Sequence, residues 1–337
     1  MFADRKSVLT GVPPETYLRS PMRLVLPTVM CLLVLAGVTP SSAAGPAGSA
    51  VPTGLTQLGV LGDAPRFARL TGQQSTVRHS FIGWHQPRSI RKLLHNLRPV
   101  PMLAIKTGGV VTPLDIARGR GDGFLVELNS ALSDFGALVY VRPMPEMNGH
   151  WNEYSAYDRD GSHRGPRYST AAFRKAFARI ALLARGGPRD ELNPRLRRLG
   201  LPGVPGDLPR TGARIVWNPQ GFGSPNLSGN SAAAYYPGDP YVDIVANDLY
   251  RQHSGAAWSA NEALYRAHPR KAFAIAEWGL WGIDDAAFVE RMAAFVRTHP
   301  RVELVAYFSG RPGSTWDLQS KPRSLRAYRR AITPLGR

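Results

Sequence analysis

From about residue 53 onward, short apolar runs alternate with stretches in which apolar residues recur every three or four positions. The runs predict strands at 76–84, 100–107, 137–142, 214–218, 242–250, 272–277 and 302–309. An eighth, short and third in order, is placed near 110–116. Between the strands, Leu125, Leu128, Leu132 and Phe135 mark one helical face that ends at Gly136. Phe173, Phe177 and Ile180 mark another, ended by Gly186-Gly187-Pro188. Asp284 is expected to cap a helix that turns Phe288, Met292 and Phe295 inward and stops at Pro300, and a last helix is expected over 324–332. Eight strand-helix units within residues 55–337 predict an α/β fold, a (β/α)8 TIM barrel in one domain. An open doubly wound sheet is the alternative, and the lack of a glycine-rich nucleotide loop after the first strand counts against it.

The N-terminal part breaks this rhythm. Residues 24–38 are an apolar stretch with Arg23 before it and Thr39-Pro-Ser-Ser-Ala-Ala44 after it, the order found in a secretory signal peptide. The run contains Pro27 and is shorter than the roughly twenty residues a membrane span needs. A signal peptide over 1–44 is therefore expected, with Met22 as an alternative start, cleavage near Ala44 or Ala50, and a linker over 45–54; the mature chain would be secreted. The single cysteine, Cys31, lies inside the apolar run, so a mature chain would carry neither thiol nor disulfide.

The formal charge is +18, and removing the four basic and two acidic residues among 1–44 leaves +16. Such a balance suits nucleic acid or an anionic envelope polymer. The arginines are scattered, however, and the densest patch, Pro194-Arg-Leu-Arg-Arg198, falls in a Pro- and Gly-rich connection with no recognition helix, RNA-binding sheet motif or phosphate loop beside it. A solvated basic surface is expected, able to hold a secreted monomer near acidic walls, and no nucleic-acid partner. The excursion 186–212 is expected to stay out of the chemistry.

That chemistry is carried by two glutamates, each at the end of a short apolar run. Glu146 lies in Val139-Tyr-Val-Arg-Pro-Met-Pro-Glu-Met-Asn-Gly-His-Trp151, and Glu277 in Lys271-Ala-Phe-Ala-Ile-Ala-Glu-Trp-Gly279. In a barrel of this kind active groups gather at the carboxyl ends of the strands, and these residues fall on the fourth and seventh predicted strands. Either glutamate alone could be a structural ion pair with an arginine. Two of them, both close to tryptophan, point to sugar hydrolysis, in which one carboxyl gives a proton to the leaving oxygen and the other attacks the anomeric carbon. Arg142 supplies positive charge that keeps a nucleophile ionised. Glu146 is assigned as acid/base and Glu277 as nucleophile, at the carboxyl separation of about 5–5.5 Å that retention requires, with no metal or organic cofactor.

These segments resemble glycoside hydrolase family 26, whose familiar members are secreted endo-β-mannanases on a (β/α)8 barrel. Arg142-Pro-Met-Pro-Glu-Met-Asn-Gly-His-Trp151 is similar to the family's acid/base segment, Tyr236 to Tyr250 to its sixth strand, and Ala274-Ile-Ala-Glu-Trp-Gly279 to its nucleophile strand. The resemblance implies the same roles for Glu146 and Glu277, and a Tyr250 that hydrogen-bonds the nucleophile. It departs at Pro145, where the family usually has histidine; proline has no donor, which weakens a transfer of mannan specificity more than of catalysis. His150 is either a substitute for that histidine or a loop residue.

Further substrate-binding candidates are Arg142, Asn148, Asn218 and Asp248, as ligands of sugar hydroxyls or as structural hydrogen bonders, and Trp151, Trp316, Trp84 and Trp217, as stacking platforms or as core. The eight histidines show no H-x-H or H-E-x-x-H spacing, and no G-x-S-x-G elbow follows a strand. The expected activity is that of a secreted retaining glycosidase acting on β-1,4-mannan or galactomannan. Another β-glycan, such as mixed-linkage glucan or xylan, is the near alternative, and a non-catalytic carbohydrate-binding barrel the distant one.

Overall fold

The computed structural model describes residues 56–336; the expected signal peptide, the linker and Cys31 lie outside them. Eight parallel strands close into a barrel in chain order: β1 (Gln57–Gly62), β2 (Val77–Gly83), β3 (Val100–Lys106), β4 (Val139–Pro143), β5 (Ala213–Trp217), β6 (Ile244–Arg251), β7 (Ala272–Leu280) and β8 (Val302–Gly310). β1 pairs with β8 as well as β2, so no edge is left open. Around the barrel run α1 (Ala64–Thr71), α2 (Ile90–Asn96), α3 (Pro113–Ala117), α4 (Asp122–Phe135), α5 (Thr170–Arg185), α6 (Arg189–Arg198), α7 (Trp258–Ala267), α8 (Ala286–Thr298) and α9 (Pro322–Ala331).

The eighth strand is not where the sequence pattern placed it. It is β1, Gln-Leu-Gly-Val-Leu-Gly, a short run whose two glycines weaken the strand signal. Gly59 is required there, because a Cβ would stand 2.9 Å from that of Ala306, its partner on the neighbouring β8. The 110–116 segment instead turns through Gly108 and Gly109, both at positive φ, into α3. Thr112 and Asp115 form a reciprocal capping box and Pro113 occupies the first turn, which favours a helix start over a strand. Two smaller corrections follow the same logic. Asp285, not Asp284, caps α8 by accepting from Phe288 N, while Asp284 caps α9 through the amides of Arg323 and Ser324. The arginine-rich 194–198 patch is the second half of α6, with Pro194 inside it, not a loop.

Two apolar layers result. Inside the barrel lie Val77, Met102, Tyr140, Val216, Ile244, Ala274 and Leu304, thinned by small residues such as Ala246 and Ala306. Outside, Val139, Val141, Ile215, Phe273, Ile275 and Trp278 meet Leu125, Leu128, Phe173, Phe177, Phe288 and Met292 of the helices. The two-residue period of a strand thus carries Tyr140, and after it Arg142, into the interior. The amino-terminal mouth is plugged by polar groups: Gln57 donates to Tyr140 Oη at 2.7 Å, Tyr140 donates to Glu303 at 2.6 Å, and Arg214 pairs with the same carboxylate. The opposite mouth holds Glu146 and Glu277.

Candidate active site

The chain leaves β4 through a strained turn. Met144 and Glu146 both have positive φ, 45° and 55°, a region that residues with a side chain rarely occupy. Several hydrogen bonds hold it. Glu146 N donates to Asn218 O at 2.7 Å, Tyr154 Oη to Pro145 O at 2.6 Å, and Asn152 Nδ2 to Glu146 O at 2.9 Å. Asn148, fully buried, donates to Gln220 O and Phe222 O and accepts from Gln220 N, tying the loop after β4 to that after β5.

Glu277 is aimed by a different device. The pairing of β6 with β7 slips between Asn247 and Asp248, so that Asp248 stands opposite Glu277, and that of β7 with β8 slips between Ile275 and Trp278. Irregularities of this kind re-aim side chains beside active sites, and here they follow the inward-facing Ala274 and Ala276.

The two devices deliver a buried charge cluster. Arg142, with no exposed surface, donates Nη1 to Glu277 Oε1 at 2.5 Å, Nη2 to Asp248 Oδ2, and Nε to Asn218 Oδ1 at 3.0 Å. Tyr250 Oη donates to the other oxygen of Glu277 at 2.6 Å. Burial alone would push the Glu277 carboxyl upward, but Arg142 and these hydrogen bonds bring it below the ordinary carboxylate range. Asp248 goes the other way: burial outweighs Arg142, and Glu277 and Glu146 add to the upward push. His79 on β2 closes the cluster, its Nε2 3.4 Å from Arg142 Nη1. Burial holds its pKa at about 3, with Arg142 adding to the effect and Glu277 opposing it, so the imidazole is neutral.

Glu146 sits apart from this in a half-buried position, where Gln220 Nε2 donates to one carboxylate oxygen at 2.5 Å and Trp151 Nε1 to the other at 2.8 Å. Exposed aromatic faces flank the mouth. Trp151 is 45% exposed and Trp281 42%. Trp281 packs on Trp316 at 4.7 Å between ring centres, and Trp316 on Tyr250 at 4.8 Å. Phe81, at the end of β2, lies under Lys106.

Of the residues singled out in the sequence, Glu146, Glu277, Arg142, Asp248, Tyr250, Trp151, Asn148 and Asn218 therefore come together, and Trp316 stands beside Tyr250. Several expectations change. Trp84 is 5% exposed, stacked on Phe124 with Nε1 donating to Gly121 O, and Trp217 is sealed against Tyr236 and His268; both rings are core, closed to a ligand. Asn148 spends its amide on backbone and fixes loops. Asp248 is turned onto Arg142 and sealed from a sugar hydroxyl. Asn218 likewise serves Arg142 and Glu146, and His150 faces Ser224 and Trp151, away from the carboxyl of Glu146. Pattern reading missed His79 and Gln220. Period-two counting from Val77 would have turned His79 inward, whereas nothing local to Gln220 marks it.

No family model matches the chain. An endoglucanase H of Acetivibrio thermocellus is 24% identical over 284 residues, which cover 79% of this chain but 28% of that protein, so the chain spans less than a third of this relative's length. Among solved structures, a family GH26 β-mannanase of Bacteroides ovatus is 16% identical with a TM-score of 0.51, over 83% of this chain and 88% of that one. The catalytic domain of a GH26 endo-β-1,4-mannanase of Bacillus sp. JAMB-750 is 12% identical with a TM-score of 0.53, over 82% and 85%. The chain thus has the (β/α)8 fold of these glycoside hydrolase family 26 enzymes, and its resemblance to that family extends from the motifs to the barrel.

Proposed function

We propose that the chain is a retaining glycoside hydrolase that cuts β-1,4-linked mannan or galactomannan, with Glu277 as nucleophile and Glu146 as acid/base. The observation that carries this reading is the contrast between the two glutamates. Glu277 is buried against Arg142 and Tyr250, which favour its anion, as attack on the anomeric carbon needs. Glu146 stands at the edge of the mouth between Gln220 and Trp151, where a leaving oxygen can reach it. Glu277 bonds to the anomeric carbon while Glu146 protonates the departing oxygen; water then attacks the ester as Glu146 takes its proton. Trp151 and Trp281 offer ring faces on which pyranoses stack.

Another β-glycan is the second reading. It is favoured by Pro145 in place of the family's histidine and by the A. thermocellus relative, an endoglucanase. The test is reducing-sugar release by residues 45–337 from mannan, galactomannan, mixed-linkage glucan and xylan, with Glu277→Ala alongside. Release from one polymer that the variant abolishes supports the reading and names the substrate. Retardation in a polysaccharide gel with no release, indifferent to the variant, would replace it with a binding protein.

Residues 1–44 are proposed to direct secretion, which the N-terminal sequence of exported protein would check. The basic surface is proposed to favour acidic walls; Arg195, Arg197 and Arg198 form the last turn of α6, in the connection from α5 to the start of β5. Salt-sensitive retention on wall material, lost when they become Gln, is the expected result.

A further inference from the structure

The side chain of Glu146 is held by two donors of different kinds. Trp151 Nε1 reaches its Oε2 at 2.8 Å from the open side of the mouth, on an indole that is 45% exposed. Gln220 Nε2 reaches its Oε1 at 2.5 Å from the closed side, and Gln220 is buried.

The loop after β5 does not depend on that second contact for its shape. Gln220 N donates to Asn148 Oδ1 at 2.8 Å, and Asn148 Nδ2 donates back to Gln220 O at 2.9 Å. The next amide, Gly221 N, donates to Asn247 Oδ1 at 3.0 Å, and Asn247 Nδ2 donates to Asn261 Oδ1 of α7 at 2.9 Å. These three asparagines are fully buried, where water does not compete for their hydrogen bonds. Asn148 stands two residues after Glu146, and Glu146 N donates to Asn218 O at 2.7 Å. A closed ring results, running from the Glu146 carboxylate through the Gln220 amide and backbone to Asn148 and back to Glu146. The backbone of Gln220 is thus anchored without its side chain, and the amide head is left to act on Glu146.

On the glycosidase reading above, we propose that Gln220 is a positioning residue that aims the carboxyl of Glu146 at the leaving oxygen and accepts a hydrogen bond from a hydroxyl of the leaving sugar.

A carboxyl turns easily about its terminal torsion, so an untethered Glu146 would present its proton in many directions. Gln220 fixes one oxygen from the closed side, which leaves the other toward the mouth. The indole N–H that meets it there donates but cannot accept, and so does not take the proton for itself. As Glu277 bonds to the anomeric carbon, the bond to the leaving oxygen breaks and the proton of Glu146 passes to that oxygen, leaving Glu146 anionic. A hydrogen bond to an anion is about twice as strong as one to a neutral group. The Gln220 contact therefore tightens as the transition state forms, and an interaction that grows in this way raises kcat. When water later attacks the ester, the same contact holds the carboxylate that receives its proton. The Oε1 of Gln220 takes no donor among the described residues and is not sealed from solvent. Fixed on the same planar amide as Nε2, it lies beside the carboxyl that the leaving sugar must reach, and it offers that sugar an acceptor.

Gln220→Met tests this, because it keeps the length of the side chain and removes both functions of the amide. Kinetics are read on β-1,4-mannopentaose and on dinitrophenyl β-mannobioside, whose phenolate leaves without a proton and carries no sugar hydroxyl; the corresponding glucosides serve if wild type prefers glucan. On the pentaose kcat is expected to fall about tenfold and KM to rise about threefold, while kcat/KM on the aryl glycoside falls less than about threefold. Gln220→Asn keeps the amide but draws it back by one methylene, out of reach of Glu146, and is expected to show the same fall in kcat. Urea midpoints of both variants should stay close to that of wild type, since the backbone anchors remain. Equal losses on the two substrates, a loss confined to KM, or failure of both variants to fold would make Gln220 a structural support or a plain binding contact and overturn the proposal. A wild type that cleaves neither substrate in either sugar series rejects the glycosidase reading itself, and the positioning role with it.

Discussion

His79 makes the stability of this barrel depend on acid in a calculable way. Its ring is buried beside Arg142, with Nε2 against the guanidinium and Nδ1 without a partner. Burial, more than Arg142, lowers its pKa from 6.5 to about 3. A histidine kept neutral in the folded state and free to protonate in the unfolded chain contributes stability that is complete above the unfolded pKa. That stability is lost as pH falls from there toward the folded pKa. The loss runs at about 1.36 kcal/mol per pH unit, so by pH 4.5 it amounts to about 2.7 kcal/mol. His79→Gln keeps a neutral acceptor for Arg142 and removes the titration. Urea denaturation of both proteins at pH 7 and pH 4.5 measures the effect, the carboxylates contributing alike to each. Wild type is expected to lose about 2–3 kcal/mol more than His79→Gln over that interval. Losses that agree to within about 0.5 kcal/mol would show that His79 is not held neutral and would refute the reasoning.

Arg142→Met leaves Asp248 and Glu277 buried without their cation and is expected to cost about 3–5 kcal/mol of stability, read by urea denaturation, together with all hydrolysis. Arg142→Lys should not restore activity, since one ammonium cannot reproduce a fork that serves Glu277, Asp248 and Asn218 at once. Trp151→Phe keeps an aromatic face but removes the N–H donated to Glu146, so steady-state kinetics should show kcat falling about tenfold with KM changed less, whereas Trp151→Ala raises KM as well. Arg214→Met at the far mouth uncovers the Glu303 carboxylate, of which one oxygen already lacks a partner, and should lower stability by about 3 kcal/mol while leaving kcat/KM of the folded protein intact.

The barrel was legible because seven strands are continuous apolar runs and because helices such as α4 and α5 carry regular stripes that end at glycine. The strand that was misplaced is the one where the signal fails: β1 has two glycines in six residues, while the segment chosen instead contains Thr112-Pro113 and Asp115, which say helix to a reader who weighs capping above apolar content. At the site, the two glutamates, Arg142 and Tyr250 stand at strand ends and could be found by place and type. Asp248, Asn148, Trp84 and Trp217 were given ligand roles because residue type does not report burial. Each is sealed by partners far away in sequence, as Asn148 is by Gln220, 72 residues on. Gln220 itself was invisible for the same reason.

The central claim is that Glu277 becomes covalently bonded to the sugar. An activated 2-deoxy-2-fluoro glycoside of the preferred sugar should accumulate as the glycosyl-enzyme, because the fluorine slows both attack and release while the good leaving group speeds attack alone. Peptide mass spectrometry should then find one fluorosugar on the peptide that contains Glu277 and none in Glu277→Ala. An adduct on a different residue, or a product released with inverted anomeric configuration, would contradict the account.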